Sequence, residues 1–254
     1  MDRLFQAYRR LHEQAFTPIF CRDEFDSKRQ VEACVAAGCK GIEYTLRKAD
    51  ARAMIPWVRK NYPDLTLIVG STIDSDKIIR SQRRKFPQLM TLDEVAQLDV
   101  DGFISMLGWS EKSIARWSIT HLVIPTASTT REALLQTEAG AHWQKLGGDV
   151  EFIKRCRGEA AFGYCPIFVS GGQVPAVMGQ TFAAGAVLVG TGFDVLLKDR
   201  DKDISAKDIA KEVKTYLKAA QLARHAAWPA LAKADGGEKA AWLEALPHYH
   251  PFKA

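Results

Sequence analysis

The chain has 254 residues, 47% of them hydrophobic and 26% charged, with a formal net charge of +5. A chain of this length can bury a full core without staples, and its composition is ordinary for a globular protein. It excludes a disulfide scaffold and a low-complexity polymer, and the mild positive charge suits small anions better than nucleic acid.

Residues 1–15 have helical spacing, with Leu4, Phe5, Tyr8, Leu11 and Ala15 on one face. The first ten contain no apolar run, so no signal peptide is expected. No stretch reaches the length of a membrane span. The five cysteines, Cys21, Cys34, Cys39, Cys156 and Cys165, show no paired metal spacing and are expected to be free thiols. A cytoplasmic protein is therefore expected, with no membrane and no nucleic acid among its partners.

A first strand is expected over 16–21, with Pro18 near its start, where a missing N–H is tolerated. Asp26 or Ser27 caps a helix over 27–37, which Gly38 ends. Strand 40–45 and helix 50–61 follow, then the β-branched strand 65–69, which runs into Gly70-Ser71-Thr72. Residues 74–98 read as a long helical region that Phe86-Pro87 splits in two. Within it, the basic run from Arg80 to Lys85 reads as a solvated helix face. Strand 102–106, helix 111–117 and strand 121–124 come next, and Ser128, Thr129, Thr130 and Glu132 open a helix with capping-box chemistry. Gly140 ends that helix, and a short strand carrying Lys145 follows. Then come helix 150–157, strand 165–170, Gly171-Gly172, helix 174–184, strand 187–189 and Gly190-Thr191-Gly192.

Eight short runs, apolar throughout rather than alternating, read as a buried parallel sheet. Alternation with helices predicts an α/β fold, a (β/α)₈ TIM barrel in a single domain, with an open doubly wound sheet as the other possibility. The barrel with its N-terminal helix is expected over 1–200. Helical periodicity over 204–227 and 238–246 predicts a C-terminal extension over 201–254, packed on the barrel or on a neighbouring subunit.

In such a barrel, active sites form at the C-terminal ends of the strands. That rule gathers Glu43 and Arg47, Ser71 and Thr72, Lys145, Ser170 with Gly171 and Gly172, and Gly190 with Thr191. A lysine, a carboxylate and an arginine at one mouth suit imine chemistry on a 2-oxo acid. The lysine attacks the ketone, the carboxylate moves protons, and the arginine with a hydroxyl holds the acid group. Such a lysine must lose its proton near neutral pH, which burial favours.

Gly41-Ile-Glu43-Tyr-Thr45-Leu-Arg47 resembles the Glu-x-Thr-x-Arg motif of the 2-keto-3-deoxy-6-phosphogluconate (KDPG)/4-hydroxy-2-oxoglutarate (KHG) aldolases. The likeness continues in order through Gly70-Ser71-Thr72, Phe103-Ile-Ser105, Ile124-Pro125 with Ser128-Thr129, Lys145, Ser170-Gly171-Gly172 and Gly190, over residues 16–195. It implies a class I lyase on a (β/α)₈ barrel, often a homotrimer, using no metal or other cofactor. Its substrate would be a small 2-oxo acid, with or without a phosphate. The resemblance implies that Lys145 forms the imine and Glu43 is the general acid/base. Arg47 and Thr72 would hold the carboxylate, and Gly171-Gly172 would receive a phosphate where there is one, with Ser170, Gly190 and Thr191 beside them.

The chain departs from that pattern at Lys145-Leu-Gly147-Gly148, where the family has Lys-Phe-Phe-Pro. It departs again at Ser105-Met106-Leu107-Gly108, where the family has Ser-Pro-Gly, and at Gly192, where a serine is common. The stretch near Arg80–Lys85 and the C-terminal extension are longer than usual. The imine machinery is expected intact, with the distal pocket altered. Two other readings stay open from sequence: a non-catalytic barrel that binds a small anion or a partner, and a phosphosugar isomerase or epimerase.

Overall fold

The structure is a computed structural model describing residues 3–159 and 163–252. Residues 1–2 of the expected N-terminal helix and 253–254 of the expected extension lie outside the described residues. The strands are β1 (Phe16–Phe20), β2 (Gly41–Thr45), β3 (Thr66–Thr72), β4 (Gly102–Ser105), β5 (Leu122–Ile124), β6 (Gln144–Leu146), β7 (Ile167–Ser170) and β8 (Leu188–Gly192). They form one sheet in the order β5-β4-β3-β2-β1-β8-β7-β6, with every pairing parallel. Between β5 and β6 the ladder is thin. Lys145 N–H donates to the Pro125 carbonyl at 2.8 Å, and Ala127 N–H donates to the Lys145 carbonyl at 3.1 Å. These bonds close the (β/α)₈ barrel, and the open-sheet alternative falls away.

The helices are α1 (Arg3–Gln14), α2 (Ser27–Ala36), α3 (Ala51–Asn61), α4 (Asp76–Gln82), α5 (Leu92–Ala96), α6 (Glu111–Trp117), α7 (Thr130–Glu138) and α8 (Val150–Lys154). After a π turn at Arg155–Glu159 come α9 (Pro175–Ala183), α10 (Phe193–Leu196), α11 (Ala206–Ala227), α12 (Pro229–Ala234) and α13 (Lys239–Glu244). Caps fix the entries. Asp26 accepts from Arg29 N–H at the start of α2, and Thr129 with Glu132 forms a capping box at α7. The expected 74–98 helical region is only α4 and α5, with irregular chain over 83–91. Pro87 cannot continue a helix, and a fresh capping box, Thr91 with Glu94, restarts one. β8 runs three residues beyond its expected end because Gly190, Thr191 and Gly192 pair in register with Thr17, Pro18 and Ile19.

Alternation along the strands sorts the core into two layers. Ile42, Tyr44, Leu67, Val69, Phe103, Val123, Ile167, Val169 and Val189 pack outward under the helices. Ile68, Ile104, Leu122, Ile124, Phe168 and Leu188 join an inner cluster with Leu4, Phe5, Tyr8 and Leu11 of α1. The apolar face of α1 therefore stoppers the N-terminal end of the barrel. Fully burying such a side chain stabilises by about 1.5–3 kcal/mol, so this face alone accounts for the attachment of α1. Helix α11 packs on α2, α9 and β1, inside the ring of helices, while Leu231 of α12 and Trp242 of α13 join the inner cluster at the stoppered end. Helices α12 and α13 thus cover the barrel's own base, while α11 completes the ring around it. Among the described residues, no helix is long and apolar enough to cross a membrane. All five cysteines are free.

A chain of buried neutral histidines ties this base together. Arg224, paired with Asp235 at 2.6 Å, donates to His12 Nδ1 at 3.3 Å. His12 Nε2 lies 3.1 Å from His248 Nε2, and His248 Nδ1 lies 2.7 Å from the Tyr249 carbonyl. One tautomer set satisfies every link: a proton on His12 Nε2 and one on His248 Nδ1. Burial, followed by Arg224 and His248, holds His12 well below its ordinary value. Burial likewise pushes His248 down to about 3.

Because both histidines are depressed when folded, their contribution is complete above the unfolded value near 6.5 and is lost as pH falls below it towards 3. The melting temperature should hold above pH 7 and drop steadily between pH 6.5 and 4. His248→Asn should flatten that decline, and an unaltered acid slope in that variant would remove this pair as its source.

Candidate active site

The inward strand positions turn polar towards the C-terminal ends, and there they enclose a cavity of about 390 Å³ lined by Glu43, Arg47, Met106, Lys145 and Ser170 to Gly172. Lys145 is the middle residue of β6, two positions after the inward Trp143, so strand parity sends it inward as well. It is 8% exposed. Its Nζ lies 3.1 Å from the Met106 thioether sulfur, its single hydrogen-bond partner among the described residues. A thioether is a weak acceptor and compensates little of an ammonium's lost hydration. Lys48, the other buried lysine, differs: its Nζ donates to the Arg22 carbonyl at 2.6 Å and lies 3.6 Å from Asp23. Lys48 has an oxygen partner on each side and ties the loop after β2 to the loop after β1, whereas Lys145 has only the thioether.

Glu43 sits at the centre of β2 and is 2% exposed. Its carboxylate lies over Gly70, where a β-carbon would stand 2.1 Å from Oε1, and Oε2 has no hydrogen-bond partner among the described residues. Burial raises the Glu43 pKa, while Lys145 and Arg47 act to lower it. Burial lowers that of Lys145; Glu43 opposes the shift and Arg47 adds to it. Both shifts favour the neutral forms. Arg47, exposed in the loop after β2, pairs with no carboxylate among the described residues.

Ser170, Gly171 and Gly172 form the opposite wall. Gly171 and Gly172 take successive left-handed conformations, φ 85° and 64°, which together only glycines adopt without strain. Three expected site residues lie elsewhere. Thr191 has the parity of Val189, points out of the barrel and donates to the Gln173 carbonyl. Gly190 points inward one layer lower, against the Phe168 ring. Thr72 follows a break in register at Ser71 (φ 60°), and its hydroxyl donates to the Ile104 carbonyl at 2.8 Å, away from the cavity wall. Conversely, Cys21, Arg22, Met106 and Asp194 line the cavity without having been singled out as binding residues. Cys21 and Met106 directly follow β1 and β4, and Asp194 lies two positions past β8, so the strand-end rule reaches all three. Among the described residues, no group of three or more His, Cys, Asp or Glu could hold a metal ion.

No family model and no curated sequence matches the chain. Solved structures do. Native KDPGal superposes with a TM-score of 0.64 at 20% identity, over 82% of this chain and 95% of that one. The KDPG aldolase of Legionella pneumophila, with pyruvate captured at low pH as a covalent carbinolamine intermediate, gives 0.57 at 15%, over 85% and 97%. The fold is that of the KDPG aldolases. Thiamine phosphate pyrophosphorylase from Pyrococcus furiosus superposes comparably, at 0.61 and 13% identity over 85% and 98%, so the KDPG aldolase fold alone does not set the reaction.

The opposition of Glu43 to the Lys145 shift gives a signed test. Glu43→Gln removes the one charge that raises the Lys145 pKa, so the amine should become more nucleophilic at pH 7. Competitive acetylation read by peptide mass spectrometry should show Lys145 labelling faster in Glu43→Gln than in the parent. Slower labelling would mean that Glu43 does not act on this amine.

Proposed function

We propose that the chain is a class I aldolase that cleaves a 4-hydroxy-2-oxo acid to pyruvate and an aldehyde and catalyses the reverse addition. The observation that carries this reading is the buried lysine, facing a buried carboxylate in one cavity, with only a thioether to receive its protons. The captured pyruvate of the Legionella protein adds support, since that fold is shared.

Neutral Lys145 attacks the C2 carbonyl, and the carbinolamine loses water to give a protonated imine. The substrate carboxylate pairs with the free guanidinium of Arg47. Glu43, through a water, takes the proton of the C4 hydroxyl. The C3–C4 bond breaks, its electron pair moves into the iminium, and the aldehyde departs. The resulting enamine is protonated at C3 from Glu43, and water hydrolyses the imine, releasing pyruvate and returning Lys145 as the amine. The water lost on imine formation is recovered here, so the net change is one carbon–carbon bond. Thr72 and Thr191 take no direct part; each hydroxyl holds a main-chain carbonyl that shapes the walls.

Borohydride added with pyruvate should leave a reduced pyruvyl adduct on Lys145, found by peptide mass spectrometry. Bound pyruvate without an adduct would sink the imine mechanism and favour a barrel that binds without reacting. Lys145→Ala should abolish cleavage with the fold intact. Glu43→Gln should lower turnover by about 10²–10⁴-fold, the usual worth of a general acid/base. A loss under about tenfold would take Glu43 out of that role.

A further inference from the structure

A second and larger cavity, about 880 Å³, opens beside the first and shares Cys21, Arg22, Arg47 and Met106 with it. Its surface is mostly apolar, with Leu46, Ile73, Phe86, Leu89 and Leu107 in its walls beside the polar Asp23, Glu24, Ser71, Gln82 and Gln88. Phe86, Met106 and Leu107 are 41%, 53% and 51% exposed, three of the seven exposed large apolar side chains among the described residues. Scattered singly, such residues are unremarkable in a folded protein. Here they come from two separate loops, residues 83–91 and the turn after β4, and gather on one rim. A collected apolar rim marks a binding surface.

The imine cavity itself carries a further carboxylate, that of Asp194. Asp194 is folded back so that Oδ1 stands 2.1 Å from where a β-carbon of Gly192 would be. It accepts from the Cys21 thiol at 3.3 Å and lies 3.8 Å from the Arg22 guanidinium. Arg22 is thereby partly neutralised, and an anionic group beside Asp194 meets like charge. The apolar groove carries Asp23 and Glu24 beside its two arginines, and with Arg22 near Asp194 and Arg47 taken by the acid group it holds no unclaimed positive charge for a phosphate.

We propose that this groove is the subsite for the aldehyde half of the substrate, and that this half is apolar and carries no phosphate. The proposal rests on the aldolase reading above. With the acid group on Arg47 and C2 on Lys145, the chain beyond C4 leaves the cavity over Met106. Its length then lies along Phe86, Leu89 and Leu107. Continuity with the imine cavity is what assigns the groove to substrate rather than to another protein.

The test runs in two stages on the intact protein. Exchange of the pyruvate methyl protons with solvent is measured first, then kcat/KM for addition of pyruvate to acetaldehyde, hexanal and glyceraldehyde 3-phosphate. Full burial of a methylene favours binding by about fourfold, and a half-open groove by about twofold. Hexanal should therefore exceed acetaldehyde by at least about tenfold, and should exceed glyceraldehyde 3-phosphate too. The double substitution Phe86→Ser with Leu107→Ser should bring the hexanal-to-acetaldehyde ratio to within about twofold of one. Asp194→Asn should raise kcat/KM for glyceraldehyde 3-phosphate.

Exchange with no gain from the longer chain, or with the phosphorylated aldehyde preferred, overturns the groove assignment and leaves the aldolase standing. Absence of exchange removes both. An unchanged aldehyde ratio in the double variant, with its oligomer dissociated in light scattering, makes the groove an interface between copies and overturns the assignment.

Discussion

The period-two alternation of a closed parallel barrel governs everything else in this molecule. Closure leaves one interior, and each strand sends every second side chain into it. At the base that interior is apolar and stoppered by α1, α12 and α13. At the other end the same alternation brings Glu43 and Lys145 into a common cavity. Neither group would be buried on its own account. The inner cluster carries the cost, because it makes the layer beneath them dry.

The two charges are kept weak by what surrounds them. Each pKa unit of displacement is worth about 1.4 kcal/mol, so a site that holds Lys145 low and Glu43 high works against the stability of the fold. Lys48, the residue next to Arg47, shows the alternative that the same chain uses. There a buried lysine meets a carbonyl and a carboxylate and serves as a structural tie. The difference between the two lysines lies in their partners rather than in their depth.

Most of this arrangement was legible in the sequence, because strand-length apolar runs and capping residues are local features. The eight strands, the caps at Asp26 and Thr129, and the inward placement of Glu43 and Lys145 all follow from them. Thr191 shows where proximity to a strand end misleads: parity sends it outward with Val189, and counting from that residue would have said so. Thr72 is harder. Its orientation depends on the left-handed turn at Ser71, and nothing in a serine's identity announces a positive φ. The Met106 contact to Lys145 joins strands that are not neighbours in the sheet, and it becomes visible only when the barrel is closed. The base was illegible for a similar reason, since His12 and His248 lie 236 residues apart.

The barrel is stitched shut at its thinnest join by three main-chain hydrogen bonds, two of them made by Lys145 itself, with Pro125 and Ala127, and one from His142 N–H to the Val123 carbonyl. Local opening of a protein begins where few hydrogen bonds must break, and amide exchange reads such openings. Here most of the seam and the buried amine belong to the same residue. Any breathing motion that unzips β5 from β6 also swings the amine away from Glu43, and water entering the seam would rehydrate it. Slow amide exchange at Lys145 and Ala127 is then a direct gauge of how often the amine stands ready, and a ligand joined to that side chain would bolt the seam from within.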